Sequence, residues 1–204
     1  MSLRTESRAL LQRSIQRGAS LIELIMFIVV IGAGLAGIIG IWQVTAQGSA
    51  DPLIQKQALA IAEAYLEEVL AAPFTYCDPD DAHAATAEST GAVNPADTTR
   101  CATTLEAIGA EAGETRGSGT TPYDNVNDYN SLVAGAPTSI DGTAIGGLSS
   151  YQVSIAVAAE ALTASAVTVP SAASLRATIT VTGPGNTTVV LDGYRTRYAP
   201  NALP

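Results

Sequence analysis

The 204-residue chain has a single histidine, His83, two cysteines and one tryptophan, and only 5% of its residues are aromatic. One imidazole without ligand-spaced companions excludes the usual zinc patterns, and no nucleophile–base arrangement can be built around it. No P-loop spacing occurs either. The chain is therefore expected to be neither an enzyme nor the holder of a cofactor. Basic side chains are scarce, ten against nineteen acidic ones for a net charge of −9, so the clustered Lys and Arg that a phosphate backbone requires are missing. No nucleic-acid partner is expected. Charged residues make up 14% of the chain and hydrophobic ones 47%, which excludes a disordered or collagen-like polymer.

What is present is unevenly placed. Arg4, Arg8, Arg13 and Arg17 crowd the first eighteen residues with one acid, Glu6, leaving six basic and eighteen acidic side chains beyond them, a net of −12. Leu24 to Trp42 then runs for 19 residues without a charged or strongly polar side chain. As a helix rising about 1.5 Å per residue it spans roughly 28 Å, close to the roughly 30 Å hydrocarbon core of a bilayer. With four arginines before the run and Asp51 as the first charge after it, the positive-inside rule places the N-terminus in the cytoplasm. The acidic bulk lies outside, which in a bacterium is the periplasm.

Three readings compete for this segment. Gly32-Ala33-Gly34-Leu35-Ala36-Gly37 matches G-x-G-x-x-G after the strand-like Phe27–Ile31, the pattern of a dinucleotide-binding turn. The next five residues, Ile38-Ile39-Gly40-Ile41-Trp42, stay wholly apolar instead of opening an amphipathic helix, which argues against a cofactor. A cleaved secretory signal ending at Gly48-Ser49-Ala50 would need an apolar region longer than the usual ~7–15 residues, with Glu23 at its mouth.

The third reading accounts for that glutamate. Arg17-Gly18-Ala19-Ser20-Leu21-Ile22-Glu23-Leu24-Ile25 resembles the processing site of type IV prepilins, in which a basic leader ends in glycine before a TLIE-like tetrapeptide. The resemblance implies cleavage by a prepilin peptidase between Gly18 and Ala19 and N-methylation of Ala19, where phenylalanine is more usual. It also implies an assembly role for Glu23. A carboxylate at membrane depth is costly unless paired, and the new N-terminal ammonium, on the same or a neighbouring subunit, supplies a partner. Glu23 as a mere interfacial charge is the plainer alternative. Gly32, Ala36 and Gly40, like Ala33 and Gly37, follow small-xxx-small spacing for close helix packing.

Further blocks, from Ala50 to Val69 and from Tyr123 to Asn130, resemble minor pilins of the mannose-sensitive haemagglutinin (MSHA) type. The implied partners are other pilins, the prepilin peptidase, the pilus assembly platform and the inner membrane. The implied fate is incorporation into a surface fibre, or priming of its assembly. The alternative is a single-pass, membrane-anchored periplasmic binding or adhesion module that never polymerises.

The expected fold is α+β and pilin-like: leader 1–18, membrane and assembly helix 19–47, amphipathic second half of the spine 48–72, loop region 73–148, and antiparallel sheet with C-terminus 149–204. Asp51-Pro52 reads as an N-cap and N1 proline, and Gly48-Ser49 lowers helix propensity, so a kink or break is expected between Gln47 and Leu53. Ala58, Ile61, Ala62, Tyr65, Leu66 and Val69 form an apolar stripe, with Gln55, Lys56, Glu63, Glu67 and Glu68 on the polar side. Residues 73–148 are rich in Gly, Ala, Thr, Asp and Pro and show little periodicity. They contain both cysteines, Cys77 and Cys101, and an oxidising compartment makes these a disulfide pair. Tyr151 to Val157 and Leu175 to Val181 alternate as strands do, Gly183-Pro184-Gly185-Asn186 makes a turn, and Val189 to Tyr198 returns with a bulge near Asp192-Gly193.

Two acid-rich pieces, Asp78-Pro79-Asp80-Asp81 and Asp124 to Asp128, offer hard oxygen ligands of the kind calcium takes, with Asp124 and Asp128 as the candidate ligands. Neither fits EF-hand spacing, and turn-forming Asx residues in a solvated loop are the simpler account.

Overall fold

The structure is a computed structural model that describes residues 20–204, and between 43 and 51 it describes the backbone alone. The chain divides into two compact units at Gly48/Ser49. Gly18 and Ala19 lie outside the described residues.

Helix α1 spans Leu21–Ala71. Its apolar part, Leu21–Trp42, contains an 18-residue stretch with a mean hydropathy of 2.8, and none of that stretch is buried. It is long and apolar enough to cross a membrane. Phe27–Ile31 and the glycines after it are helical, which removes the strand and tight turn that a dinucleotide site requires. The expected second helical stretch is present, but no residue between 47 and 53 leaves the helix, so the expected break is absent. Pro52 lies inside the helix and, lacking an N–H, forgoes its own i→i−4 bond.

In the second unit, the last part of α1 packs on a three-stranded antiparallel sheet. The strands of this unit are β1 (Gln152–Ala159), β2 (Leu162–Ala164), β3 (Val167–Val169), β4 (Ser174–Gly183) and β5 (Thr187–Thr196), and the sheet order is β1-β4-β5. β2 and β3 form a separate hairpin, inserted between β1 and β4, that the alternation pattern does not reveal. Register follows the period of two. Val153 faces Val181, Ile155 faces Ile179 and Val157 faces Ala177, all buried, while Ile179 and Val181 face Leu191 and Val189 of β5. This face meets Ala58, Ile61, Ala62, Tyr65 and Val69 of α1 in one core that also takes in Phe74, Val126 and Tyr129.

The expected bulge at Asp192-Gly193 does not form. Asp192 pairs with Thr178 and Gly193 with Ala177 in an unbroken ladder. Gly193 serves close approach instead, since a Cβ there would lie 2.8 Å from Leu66 Cδ1 and 2.9 Å from Leu70 Cδ1. The β4–β5 turn forms where expected, with Gly185 and Asn186 both at positive φ.

The loop region is held by a few strong ties. Cys77 and Cys101 are disulfide-bonded with Cα atoms 5.4 Å apart, and Ala84 and Ala87 pack around them in a small satellite core. Closing a loop of this length contributes roughly 3–4 kcal/mol on the chain-entropy estimate. Asn201 Nδ2 donates to the carbonyls of Ala84 (3.0 Å) and Ala87 (2.9 Å), fastening the C-terminal segment to the same loop. A second tie has no counterpart in the sequence pattern. Glu68, expected on the polar face of α1, is engaged by Arg116, whose Nε donates to Oε1 at 2.7 Å and whose Nη2 donates to Oε2 at 2.6 Å. The two side chains are only 8% and 16% exposed. Arg116 Nη1 also donates to Thr138 Oγ1 (2.7 Å) and the Ser139 carbonyl (2.9 Å), and the guanidinium stacks 4.6 Å from the Tyr65 ring centroid. Burial works against this charge, but the hydrogen bonds and charge of Glu68 outweigh it and hold the arginine's pKa above its ordinary value.

Candidate functional site

Glu23, the proposed assembly residue, sits exposed in the first turn of α1. The free N–H groups and positive end of a helix favour a carboxylate in that turn. A Cβ added at Gly32, Gly34, Gly37 or Gly40 would meet nothing within 4 Å, so this helix surface is smooth and open at all four positions.

The loop region brings together carboxylates that lie far apart in sequence. An isolated antiparallel bridge pairs Cys77 with Leu105, and Glu106 N–H donates to the Tyr76 carbonyl at 3.3 Å, so the disulfide loop draws Asp78 and Glu106 into one neighbourhood. Gly109 N–H donates to the Asn127 carbonyl (3.1 Å) and Ala110 N–H to Ser131 Oγ (2.8 Å), which sets Glu111 against the short 3-10 turn Asp128–Ser131. Thr115 N–H donates to the Thr121 carbonyl at 3.1 Å, closing a loop that returns the chain past Glu114 to Asp124. Underneath, Asn125 Nδ2 donates to Thr75 Oγ1 (2.6 Å) and Val126 N–H to the Pro73 carbonyl (3.0 Å), tying this end of the loops to the exit from α1.

The outcome is two adjoining triads. Carboxylate oxygens of Asp78, Glu114 and Asp124 lie within 4.8 Å of one another, and so do those of Glu106, Glu111 and Asp128. The triads are joined by Asp128 Oδ2, which accepts from the N–H groups of Asp124 (3.0 Å) and Asn125 (2.7 Å), and by the Glu111 N–H, which donates to Glu114 Oε2 at 3.2 Å. Asp128 is wholly buried, and no N–H or hydroxyl reaches its Oδ1; the Glu111 carboxyl is its remaining side-chain neighbour. Both oxygens of Glu106, Oδ1 of Asp124 and Oδ1 of Asn127 are likewise buried without a hydrogen-bond partner.

Among the described residues, no Lys, Arg or His lies within ion-pair distance of any of the six. Arg197 acts on Glu106 from farther away, its guanidinium lying over the rings of Phe74 and Tyr76 and its Nη1 donating to the Ala172 carbonyl. Two unit charges about 5 Å apart repel by ~3 kcal/mol at an effective dielectric of about 20, and each triad contains three such pairs. The carboxyls respond by holding protons. Burial first, then the neighbouring acids, push Glu106 up to about 10, Glu111 to about 8 and Asp124 to about 7. Asp128 rises to about 6, since burial and Glu114 outweigh its two backbone donors, and burial raises Asp78 too.

The sequence motif and the site overlap only in part. Asp78, Asp124 and Asp128 belong to the cluster, but Asp81 does not. Its carboxylate accepts from the backbone N–H groups of His83, Ala102, Thr103 and Thr104 at 2.8–2.9 Å. Burial raises its pKa, but those four donors prevail and hold it far below the carboxylate range. Glu106, Glu111 and Glu114 are marked by no sequence pattern. Their spacing of five and three residues means nothing until the disulfide and the 3-10 turn are in place. No protein-family model, curated protein or solved structure matches the chain.

Proposed function

We propose that the chain is a minor type IV pilin, resembling the MSHA pilus subunit MshD. In this reading it is held in the inner membrane with its C-terminal unit in the periplasm until it enters a fibre or primes its assembly. The observation that carries the reading is the division of labour along α1. Leu21–Trp42 is an uninterrupted, wholly exposed apolar surface whose only charge is Glu23, while Ala58 to Val69 of the same helix form the core beneath the sheet. A simple membrane anchor does not need a carboxylate in its first turn, and a soluble domain does not need the exposed apolar half. A subunit that passes from lipid into a helical fibre core uses both. The basic leader and Gly18-Ala19 supply the processing step that frees an ammonium to pair with Glu23.

Mass spectrometry of the protein extracted from membranes tests this. The expected product begins at N-methyl-Ala19. A mature terminus at Asp51 would identify a cleaved signal instead. Correct processing with no protein in sheared fibres would leave the non-polymerising anchored module.

A further inference from the structure

The six-carboxylate centre has a composition that a protein interior does not tolerate unaided. Buried charges are ordinarily paired or bound to metal. Here Asp128 is completely buried with no N–H or hydroxyl donor at its Oδ1, only the Glu111 carboxyl beside it, and both carboxylate oxygens of the half-buried Glu106 are out of solvent without a donor. Carboxylates can only accept, so neighbouring acids cannot satisfy one another without protons. The surrounding chain is nevertheless fastened by the disulfide, the Cys77–Leu105 bridge and the backbone bonds to Asn127 and Ser131, which hold the acids together against their repulsion.

We propose that Glu106, Glu111 and Asp128 bind a calcium ion, with Asp78, Glu114 and Asp124 forming an adjoining acidic wall that strengthens the field around it. Oxygens that share an ion at about 2.4 Å can be no more than ~4.8 Å apart, and the three carboxylates meet that limit. The donor set is all oxygen and anionic, without thiolate or imidazole, which selects a hard cation over zinc or copper. Calcium suits it better than magnesium. Calcium accepts irregular sets of six to eight oxygens, including bidentate carboxylates, whereas magnesium demands near-octahedral geometry at about 2.1 Å and gives up its water reluctantly. Unpartnered Oδ1 of Asp128 and both oxygens of Glu106 are the free valences such an ion would fill. Calcium binding at this centre does not depend on polymerisation and holds equally for an anchored module.

The test uses the full chain in detergent, stripped with EGTA and titrated calorimetrically with calcium chloride alone, with magnesium chloride in parallel and native mass spectrometry to count ions. Calcium should bind with a dissociation constant of about 1 mM or tighter, the range of extracellular calcium modules, and magnesium about tenfold more weakly. Glu106→Gln and Asp128→Asn should each weaken calcium by about 100-fold, while Glu63→Gln and Glu88→Gln, exposed acids outside the cluster, should leave it unchanged. If Asp128→Asn does not fold, Glu106→Gln and Glu111→Gln give the same reading. The proposal is overturned if the stripped protein takes up no calcium and melts at the same temperature with or without it, because the acids are then simply protonated. It is equally overturned if binding survives Glu106→Gln and Asp128→Asn but is lost in Asp124→Asn.

Discussion

Replacing Arg116 with methionine isolates the main polar tie between the loop region and α1. Methionine keeps much of the aliphatic stem but removes both bonds to Glu68, the bonds to Thr138 and Ser139, and the stacking on Tyr65. The pair is largely buried, so the dominant cost is the stranded charge on Glu68, and breaking a buried pair from one side costs ~3–5 kcal/mol. For a unit of this size, about 2–4 °C of melting temperature per kcal/mol gives a drop on the order of 10 °C. Adding Glu68→Gln should return a large part of that loss. The amide still accepts from the Tyr129 hydroxyl, which reaches Glu68 Oε1 at 3.0 Å, and no charge is left buried. Thermal or urea unfolding of both single variants and the double variant completes the cycle. A loss under about 1 kcal/mol for Arg116→Met, or strict additivity with Glu68→Gln, would refute the idea that an uncompensated carboxylate is the source of the effect.

In chelator, stability should fall as pH rises from about 5 to 8. Glu106, Glu111, Asp124 and Asp128 hold protons in the folded state to about 10, 8, 7 and 6, whereas the unfolded chain releases them near its ordinary carboxylate values, so the folded state binds more protons across that window. Melting curves in EGTA should show the decline and added calcium should flatten it; a flat profile in EGTA would remove the like-charge account of the cluster. Cys77→Ser with Cys101→Ser should cost roughly 3–4 kcal/mol by urea unfolding, and non-reducing peptide mapping of the parent should recover the cross-link. Glu23→Ala should insert into membranes normally yet be depleted from sheared fibres; normal fibre levels would make Glu23 an interfacial charge only.

The parts of the fold that are legible in the sequence are those whose signal is local and periodic. The apolar helix, the stripe from Ala58 to Val69 and the alternation from Val153 to Val157 each repeat a single preference several times. Glycine is less readable because one residue type answers different needs. Gly193 suggests a bulge, but it is small so that Leu66 and Leu70 can lie against β5. Proline is a poor signal of a break for the opposite reason, since Pro52 stands inside a helix that no residue from 47 to 53 leaves. The acidic centre is half visible, through Asp78, Asp124 and Asp128, because acids adjacent in sequence attract notice. Glu106, Glu111 and Glu114 come together only through cross-links with no periodicity. Whether a given carboxylate is free for a ligand is equally a tertiary matter: Asp81 stands three residues from Asp78, yet backbone donors fully occupy it.

The clasp between Asn201 and the disulfide loop bears on the order of events during biogenesis. Its two bonds join groups 117 and 114 residues apart, so the loop carrying Cys77 is synthesised long before its fastener arrives. During that interval the carbonyls of Ala84 and Ala87 lack this donor. Oxidation of the cysteines needs only a loop of about 25 residues to close, and closure entropy grows with length, so cross-linking can run ahead of the clasp. The Asn201 bonds then latch a loop that the disulfide has already closed. A chain truncated before Asn201 should therefore keep the Cys77–Cys101 cross-link while the carbonyls of Ala84 and Ala87 lose this donor.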